Sequence, residues 1–180
     1  MLAVLVPFRK TSHMVFDILP ENPAHEADIE ALHDLSFGPG RFAKTAYRMR
    51  EGVPPVASLS FVAFARGDGA PRMVGSIRYS PLLIGGQKGL LLGPLAMDPS
   101  VRGQGGGLEL MRVSLDAARA EGHRFVILVG DAPYYAKVAF HPVPPGKISL
   151  PGPVDKSRLL YCDLVPGAFE AVSGAVEKGT

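Results

Sequence analysis

Residues 89–122, GLLLGPLAMDPSVRGQGGGLELMRVSLDAARAEG, combine three patterns that decide the fold. An apolar run from Leu90 to Met97, interrupted only by Gly93-Pro94, predicts a strand. A short turn and a glycine-rich segment follow, and then a helical pattern begins that Gly122 is placed to cap. Its apolar face consists of Leu108, Met111, Leu115 and Ala118, and its charged face of Arg112, Asp116 and Arg119. The stretch is therefore predicted to form a strand, a glycine-rich turn and an amphipathic helix.

The glycine-rich turn from Arg102 to Gly107 has the features of a phosphate-binding loop. Glycines let a ligand approach the backbone N–H groups, and the start of a helix adds unpaired donors and a positive dipole end. Two nucleotide motifs do not fit. No Lys-Ser/Thr follows the glycines, as a P-loop requires, and the third glycine of a dinucleotide fingerprint would fall on Leu108 or Leu110.

The composition is that of a globular domain. The chain has 180 residues, 47% of them hydrophobic and 20% charged, with a formal net charge of +2. So small a charge gives no argument for a nucleic-acid partner. Its one cysteine, Cys162, lies in an apolar run and is predicted to be buried; it excludes an internal disulfide and a cysteine-based metal cluster, and no metal is expected. No stretch is long enough for a membrane span, and the Leu2–Val6 run is too short for a signal peptide, so a cytoplasmic location is expected.

The first third of the chain is predicted to contain a strand and two helices. Residues 1–13 are interpreted as an extension ahead of a single domain covering residues 14–180, whose first strand is Met14–Leu19. Asn22-Pro23 is a helix start, and Phe37-Gly38-Pro39-Gly40 ends that helix. Its buried stripe is predicted to be Ile29, Leu32 and Leu35.

The second helix is predicted to cover Arg41–Arg50. Its inward residues are expected to be Phe42, Ala46 and Met49, and its solvated basic face is expected to be Arg41, Lys44, Arg48 and Arg50.

The rest of the chain alternates between extended and helical patterns. Strands are predicted at Leu59–Ala65, Met73–Leu83, Leu90–Met97, Phe125–Val129, Lys147–Leu150 and Leu159–Val165, with Arg66-Gly67-Asp68-Gly69 as a hairpin connection and a short helix at Pro133–Val138. The predicted order is β-α-α-β-β-β-α-β-α-β-β, which is a mixed α/β fold.

Two motifs in this arrangement resemble those of the GNAT N-acetyltransferase superfamily. Arg102-Gly103-Gln104-Gly105-Gly106-Gly107 fits the acetyl-CoA motif R-x-x-G-x-G between a strand and a helix, and residues 135–140, YAKVAF, resemble Y-x-K-x-G-F. Ala139 stands where the family usually has glycine. The combination FGPGR, LLLGPLAMDP, RGQGGG, GDAPYY and YCDLVPGAF resembles a bacterial subgroup of predicted GNAT acetyltransferases whose substrates are mostly unassigned.

This resemblance implies a GNAT fold in which the sheet is splayed between the fourth and fifth strands. It also implies that the pantetheine arm of acetyl-CoA lies beside the fourth strand, near an oxyanion-binding N–H at Leu95. Gly93-Pro94 would bend that strand and open the slot. The residues expected to bind the cofactor are Leu95, Ala96, Met97, Arg102, Gly103, Gln104, Gly105, Gly106, Gly107, Leu108, Tyr134 and Lys137.

The resemblance further implies that Tyr135 is the general acid that protonates the departing thiolate, with Tyr134 as a rival for the role. A phenol stays protonated at neutral pH and is able to protonate a thiolate. No glutamate lies in the fourth or fifth strand. Asp98, Asp131 and His141 are the nearest titratable groups, and each has a plain structural explanation. The sequence therefore names no general base.

Two hypotheses on function follow. The first is an acetyl-CoA-dependent N-acetyltransferase that acts on a small-molecule or peptide amine by direct attack on the thioester. The second is a non-catalytic acyl-CoA-binding or sensing module with the same fold. Neither involves nucleic acid or a membrane, and the protein is expected to be a monomer or homodimer. The segment Phe37–Arg41 is expected to border the acceptor site.

Overall fold

A computed structural model describes residues 14–67 and 69–180 of the chain. The predicted N-terminal extension and Asp68 of the predicted hairpin connection lie outside the described residues. Within these ranges the strands are β1 (Phe16–Pro20), β2 (Phe61–Ala65), β3 (Arg72–Ile84), β4 (Gln87–Met97), β5 (Phe125–Val129), β6 (His141–Pro142), β7 (Ile148–Ser149), β8 (Leu159–Asp163) and β9 (Gly174–Lys178). The α-helices are α1 (Glu26–Phe37), α2 (Thr45–Arg48), α3 (Gly106–Ala120) and α4 (Ala132–Tyr135).

The strands form one mixed sheet in the order β1-β2-β3-β4-β5-β8-β6. The two central strands, β4 and β5, are parallel and pair only at Leu90↔Val126 and Leu91↔Ile127. Beyond Leu91 the two strands separate, while β4 stays paired with β3 as far as Met97. The mixed α/β fold and its splay between the fourth and fifth strands are therefore confirmed.

Helices α1 and α3 pack on opposite faces of the sheet. Consecutive residues of β3 point to opposite sides of the sheet, so neighbouring positions meet different helices. Ser76 contacts His33 of α1 at 3.2 Å. A side chain at the neighbouring Gly75 would instead meet Leu110 of α3. On the α3 face, the buried Tyr79 hydroxyl contacts Ser114 Oγ at 2.8 Å. In the part of the chain that the structure describes, no helix is long and apolar enough to cross a membrane.

Several element bounds differ from the sequence-based expectations. Residues 57–59 form a 3₁₀ turn ahead of β2, and the predicted helix Pro133–Val138 is α4 followed by a 3₁₀ turn, Ala136–Val138. The predicted strand at Lys147–Leu150 is reduced to β7, which pairs with β9. Strands β6 and β9 were not predicted. Strand β6 has only two residues, and β9 is partly polar. Each is extended because it pairs with another strand, β6 with β8 and β9 with β3.

The prediction of a second helix at Arg41–Arg50 was wrong. Pro39–Ala43 is a 3₁₀ helix, and only the single turn of α2 is α-helical. Phe42, predicted to point inward, is 55% exposed, whereas Arg41, predicted to be solvated, is 3% exposed. Arg41 is buried because it binds Asp34, an ion pair that helical periodicity does not show.

The buried face of α1 also differs from the prediction at one position. Asn22 caps a 3₁₀ turn, Pro23–His25, that leads into α1, and its side chain accepts from the Ala24 N–H. Ile29 and Leu32 are buried as expected. Leu35 is 61% exposed, however, and His33 is buried in its place.

The buried His33 makes folding stability depend on pH. Burial, with the charges of Arg78, Arg41 and Arg50, lowers the pKa of His33 from 6.5 to about 4. The Glu30 carboxylate lies 3.6 Å from His33 Nδ1 but is half exposed, so it does not offset the lowering of the His33 pKa. Between pH 6.5 and pH 4 the unfolded chain therefore binds a proton that the folded protein excludes.

We expect the free energy of unfolding to fall by roughly 3 kcal/mol as the pH is lowered from 6.5 to 4. The measurement is urea unfolding across this range. His33→Gln keeps a polar group near Ser76 and does not titrate, so its stability should vary much less with pH. Parallel pH profiles for the two proteins would contradict the assignment.

Candidate active site

Two cavities meet where β4 and β5 separate. The larger has a volume of about 870 Å³ and the smaller about 460 Å³. Leu95 of β4 and Tyr135 of α4 line both cavities. The residues that line both are Phe37, Leu95, Arg102, Tyr134 and Tyr135. The smaller cavity lies against the glycine-rich loop and the larger against α2. A molecule in one cavity therefore reaches a molecule in the other at Leu95 and Tyr135.

The glycine-rich loop forms one wall of the smaller cavity. Gly105 takes φ +93°, a conformation that a side chain disfavours, and starts α3. No atom lies near the space that a side chain on Gly103 or Gly105 would take. The unpaired N–H groups of the first α3 turn and the positive helix end are thus accessible to an anion. The loop fits a phosphate-bearing group.

The predicted cofactor-binding residues are mostly brought together in the smaller cavity. Its lining includes Leu95, Ala96, Met97, Arg102, Gly103, Gly105, Gly106, Gly107, Leu108, Tyr134, Tyr135 and Lys137. Gln104 is exposed and is not part of this lining. Leu108, predicted to belong to the buried face of its helix, is only half-buried because it borders the cavity.

Strand β4 is irregular at Gly93-Pro94, two residues that line the larger cavity. The register of the β3–β4 ladder shifts between Ile77 and Tyr79, opposite this point. Gly93 takes φ +117°, and a side chain there would approach Arg50 Nη2 to 2.7 Å. Glycine is thus favoured both by the backbone and by the close guanidinium. Past this point the β4 edge that faces β5 has no ladder partner in the described sheet.

The two adjacent tyrosines occupy different places. A side chain on Gly107 would overlap the Tyr134 hydroxyl, so Tyr134 lies against the glycine-rich loop. A side chain on Gly130 would overlap the Tyr135 ring, which packs 5.8 Å from the Phe140 ring centre. Burial and the neighbouring Tyr134 raise the pKa of Tyr135 to about 12. Tyr135 is therefore protonated at neutral pH.

The three titratable groups considered for a general base have other roles or lie elsewhere. Asp98 binds Ser100 and Arg72, which lower its pKa to about 2. The Asp131 side chain accepts from the Tyr134 N–H and caps α4, although it also lines the larger cavity. His141 is exposed on β6.

Sequence reasoning missed a group of polar residues in the larger cavity. They are Thr45, Tyr47, Arg50, Asp155 and Arg158. Arg50 was assigned to a solvated face, but its Nη2 donates to the Leu92 carbonyl at 3.2 Å. These residues come from α2 and from the loop before β8, so only the fold brings them together. The proline-rich loop that carries Asp155 offered no motif to find it by.

The segment Phe37–Arg41 lies partly at the cavities. Phe37 lines both of them, and it shares the lining of the larger one with Gly93 and Pro94. Arg41 is not part of either lining, because its guanidinium binds Asp34 and the Gly38 carbonyl.

Ala139 adopts a conformation that suits glycine. Its φ and ψ are +64° and +29°, and it is the one non-glycine with positive φ in residues 14–67 and 69–180. An L-residue in this conformation costs roughly 1–2 kcal/mol. The substitution of glycine by alanine, noted in the sequence, therefore strains the end of the turn after α4.

We expect Ala139→Gly to raise the free energy of unfolding by about 0.5–1 kcal/mol, because relief of the strain exceeds the added entropy of the unfolded chain. Chemical denaturation measures the change. Ala136→Gly is the matched control: Ala136 has right-handed helical angles, and this variant should lose stability. Equal effects of the two variants would contradict the explanation.

A sequence model of the acetyltransferase (GNAT) family matches residues 27–141, more than half of the chain. The chain belongs to the GNAT family. Among curated proteins, "Uncharacterized N-acetyltransferase YhbS" of Escherichia coli (strain K12) is 28% identical over 159 residues, which is 87% of this chain and 92% of that protein. "Uncharacterized N-acetyltransferase YjhQ" of the same strain is 28% identical over 134 residues, covering 72% and 71%.

Solved GNAT structures agree with this assignment. The crystal structure of Escherichia coli YhbS in complex with CoA has a TM-score of 0.73 and 25% identity, and the match covers 93% of this chain and 90% of that one. A GNAT family acetyltransferase from Brucella melitensis in complex with acetyl-CoA has a TM-score of 0.56 and 25% identity, covering 82% and 96%. The chain is thus a GNAT N-acetyltransferase by family and by fold.

Proposed function

We propose that this enzyme transfers the acetyl group of acetyl-CoA to an amine of a small molecule or peptide, by direct attack of the amine on the thioester. The observation that carries the proposal is the meeting of the two cavities at Leu95 and Tyr135. The smaller cavity takes the cofactor and the larger takes the acceptor. The CoA and acetyl-CoA complexes of the two relatives support the choice of cofactor.

The cofactor's pyrophosphate is assigned to the glycine-rich loop. The backbone N–H groups of Gly103 and of residues 105–108, with the charges of Arg102 and Lys137, supply donors for its oxygens. The pantetheine arm extends along Leu95–Met97, whose edge toward β5 is free of ladder pairing. A backbone N–H at Leu95 then stabilises the oxyanion that forms on the thioester carbonyl.

Tyr135 is assigned as the general acid. When the C–S bond breaks, the electron pair stays on sulfur, and the Tyr135 hydroxyl donates its proton to that thiolate. Tyr135 is protonated at neutral pH and so can donate, and the tyrosinate left behind takes a proton back from water.

We assign no residue as general base. Of the carboxylates in the larger cavity, Asp131 caps α4, and Asp155 accepts hydrogen bonds from Ser157, which lower its pKa. The attacking amine loses its proton to water or arrives partly deprotonated.

The experiment is release of free CoA thiol from acetyl-CoA in the presence of a library of amines and peptides. The proposal predicts that thiol release depends on both the enzyme and an acceptor, and that mass spectrometry finds an acetylated amine. Cofactor binding without release for any acceptor would favour the non-catalytic acyl-CoA module. The cytoplasmic location and the monomeric or homodimeric state remain predictions.

A further inference from the structure

Two buried polar atoms at the larger cavity lack a hydrogen-bond partner. In the described residues 14–67 and 69–180, the buried side-chain nitrogens and oxygens without a hydrogen-bond partner are the Tyr47 hydroxyl and Arg50 Nε. Both residues line the larger cavity, and the Arg50 guanidinium lies 5.2 Å from the centre of the Tyr47 ring. Buried polar groups in native proteins are nearly always hydrogen-bonded. Two such exceptions in residues of one cavity wall favour a bound partner at that wall.

Arg50 also differs from the other buried arginines in its electrostatic surroundings. Arg41 is paired with Asp34, and Arg78 with Glu21. In the described part of the chain, no carboxylate forms an ion pair with Arg50. A buried charge is costly unless it is paired, so the guanidinium lacks its counter-anion.

The Arg50 side chain is held in place without the use of its Nε. Nη2 donates to the Leu92 carbonyl at 3.2 Å. Burial lowers the pKa of Arg50 to about 10, so it is a cation at neutral pH, and burial raises the pKa of Tyr47, so its hydroxyl keeps its proton. A charged donor group and a neutral donor group thus belong to the same cavity wall, and a carboxylate accepts from both kinds of donor.

The other charged residues of the larger cavity also favour an anionic ligand. Lys44, Arg102 and Arg158 add three cationic groups to its lining. The two carboxylates, Asp131 and Asp155, already accept hydrogen bonds from the backbone of their own turns. The cavity therefore attracts an anionic acceptor and disfavours one that is only cationic, such as a polyamine.

We propose that the acceptor amine carries a carboxylate, which binds at the wall of the larger cavity that Tyr47 and Arg50 form. This inference rests on the proposed function. Leu92, which holds Arg50, and Leu95, beside the thioester, are three residues apart on β4, a span of at most ~10 Å in an extended strand. A carboxylate bound at Arg50 thus leaves the amine of the same small molecule within reach of the thioester.

The test uses pairs of amines that differ only in the carboxylate. Glycine, β-alanine, γ-aminobutyrate and aminohexanoate are compared with their carboxamides, and peptides with an acidic side chain are compared with their amidated forms. A phosphonate analogue of each amino acid tests whether another oxyanion substitutes. We expect the wild-type enzyme to have a ~10- to 100-fold higher kcat/KM for the carboxylate member of the best pair. A preference for the carboxylate among the amino acids indicates a small-molecule acceptor, and the same preference among the peptides indicates a peptide acceptor.

Tyr47→Phe and Arg50→Gln should remove most of this preference, so that each variant has similar kcat/KM values for the two members of a pair. Tyr47→Phe separates binding from folding. Because it removes an unpartnered buried hydroxyl, its melting temperature should be unchanged or higher, whereas loss of a structural hydrogen bond would lower it. Arg48→Gln, an exposed position of the same turn, is the matched control and should keep the wild-type preference.

The outcomes separate this inference from the proposed function. Equal use of carboxylates and carboxamides by the wild type overturns the inference and leaves acetyl transfer standing. If no amine releases thiol, the proposed function fails, and the site is tested by binding alone. In that case the carboxylate amines must raise the melting temperature of the wild type and not of Arg50→Gln. Failure of this shift also overturns the inference.

Discussion

Tyr135→Phe is expected to lower kcat by ~10²–10⁴-fold, the usual contribution of a general acid. The hydroxyl is lost, whereas the ring still packs against Gly130 and Phe140. The affinity for acetyl-CoA should therefore stay nearly unchanged. Thiol-release kinetics give kcat, and calorimetry gives the Kd of the cofactor. A fall in kcat without weaker binding is the result that an interaction made only in the transition state requires.

Tyr134→Phe is the control for this prediction. The rings of Tyr134 and Tyr135 pack edge to face, 5.2 Å apart, but the Tyr134 hydroxyl lies against Gly107 in the loop, so its removal should cost little in kcat. If Tyr134→Phe is the impaired variant, the acid is assigned to the wrong one of two neighbours. If both variants turn over normally, the thiolate leaves unassisted or is protonated by water, and the role of Tyr135 is refuted.

Gly107→Glu should weaken acetyl-CoA binding by roughly 100-fold or more, because like charges in contact cost several kcal/mol. Its carboxylate would face the cofactor's pyrophosphate, and its side chain would overlap the Tyr134 hydroxyl. Gly105→Asp tests the charge with less overlap, since the space beside Gly105 is open. Both effects are measured by calorimetry with acetyl-CoA.

Gly67→Asp adds the same charge in the connection after β2, at a position with open space, and should bind acetyl-CoA like the wild type. Gly105→Ala has no charge and should lie between Gly105→Asp and the wild type. Wild-type calorimetry without any interaction at millimolar acetyl-CoA would overturn the cofactor site itself. Normal binding by Gly107→Glu would move the pyrophosphate away from this loop.

Local patterns predicted the parts of the fold that depend on local chemistry. Strand β5 has the predicted bounds, and the strand–loop–helix unit with Gly122 after its last turn is present. Cys162 is buried, as its apolar neighbours indicated. In these segments burial, periodicity and glycine requirements all favour one structure, so the sequence alone is sufficient.

The errors concentrate where distant partners decide the outcome. Arg41 and Arg50 were predicted to lie on a solvated face because they are charged. They instead turn inward, where Arg41 binds Asp34 and Arg50 binds the Leu92 carbonyl. Strand β9 is extended because β3 offers it an edge. The same limit applies to the site: the glycine-rich loop is a contiguous motif, whereas Tyr47 and Asp155 come together only through the fold.

An open strand edge usually invites another chain to pair with it and so to aggregate. The unpaired edge of β4 beyond Leu91 is placed inside a slot instead of on the rim of the sheet. Phe37, Tyr134 and Tyr135 line this slot. Because β5 stays paired with β4 at Leu90 and Leu91, the free edge lies between two strands of one sheet. The splay therefore gives the fold an unpaired edge without the exposed outer strand that promotes aggregation.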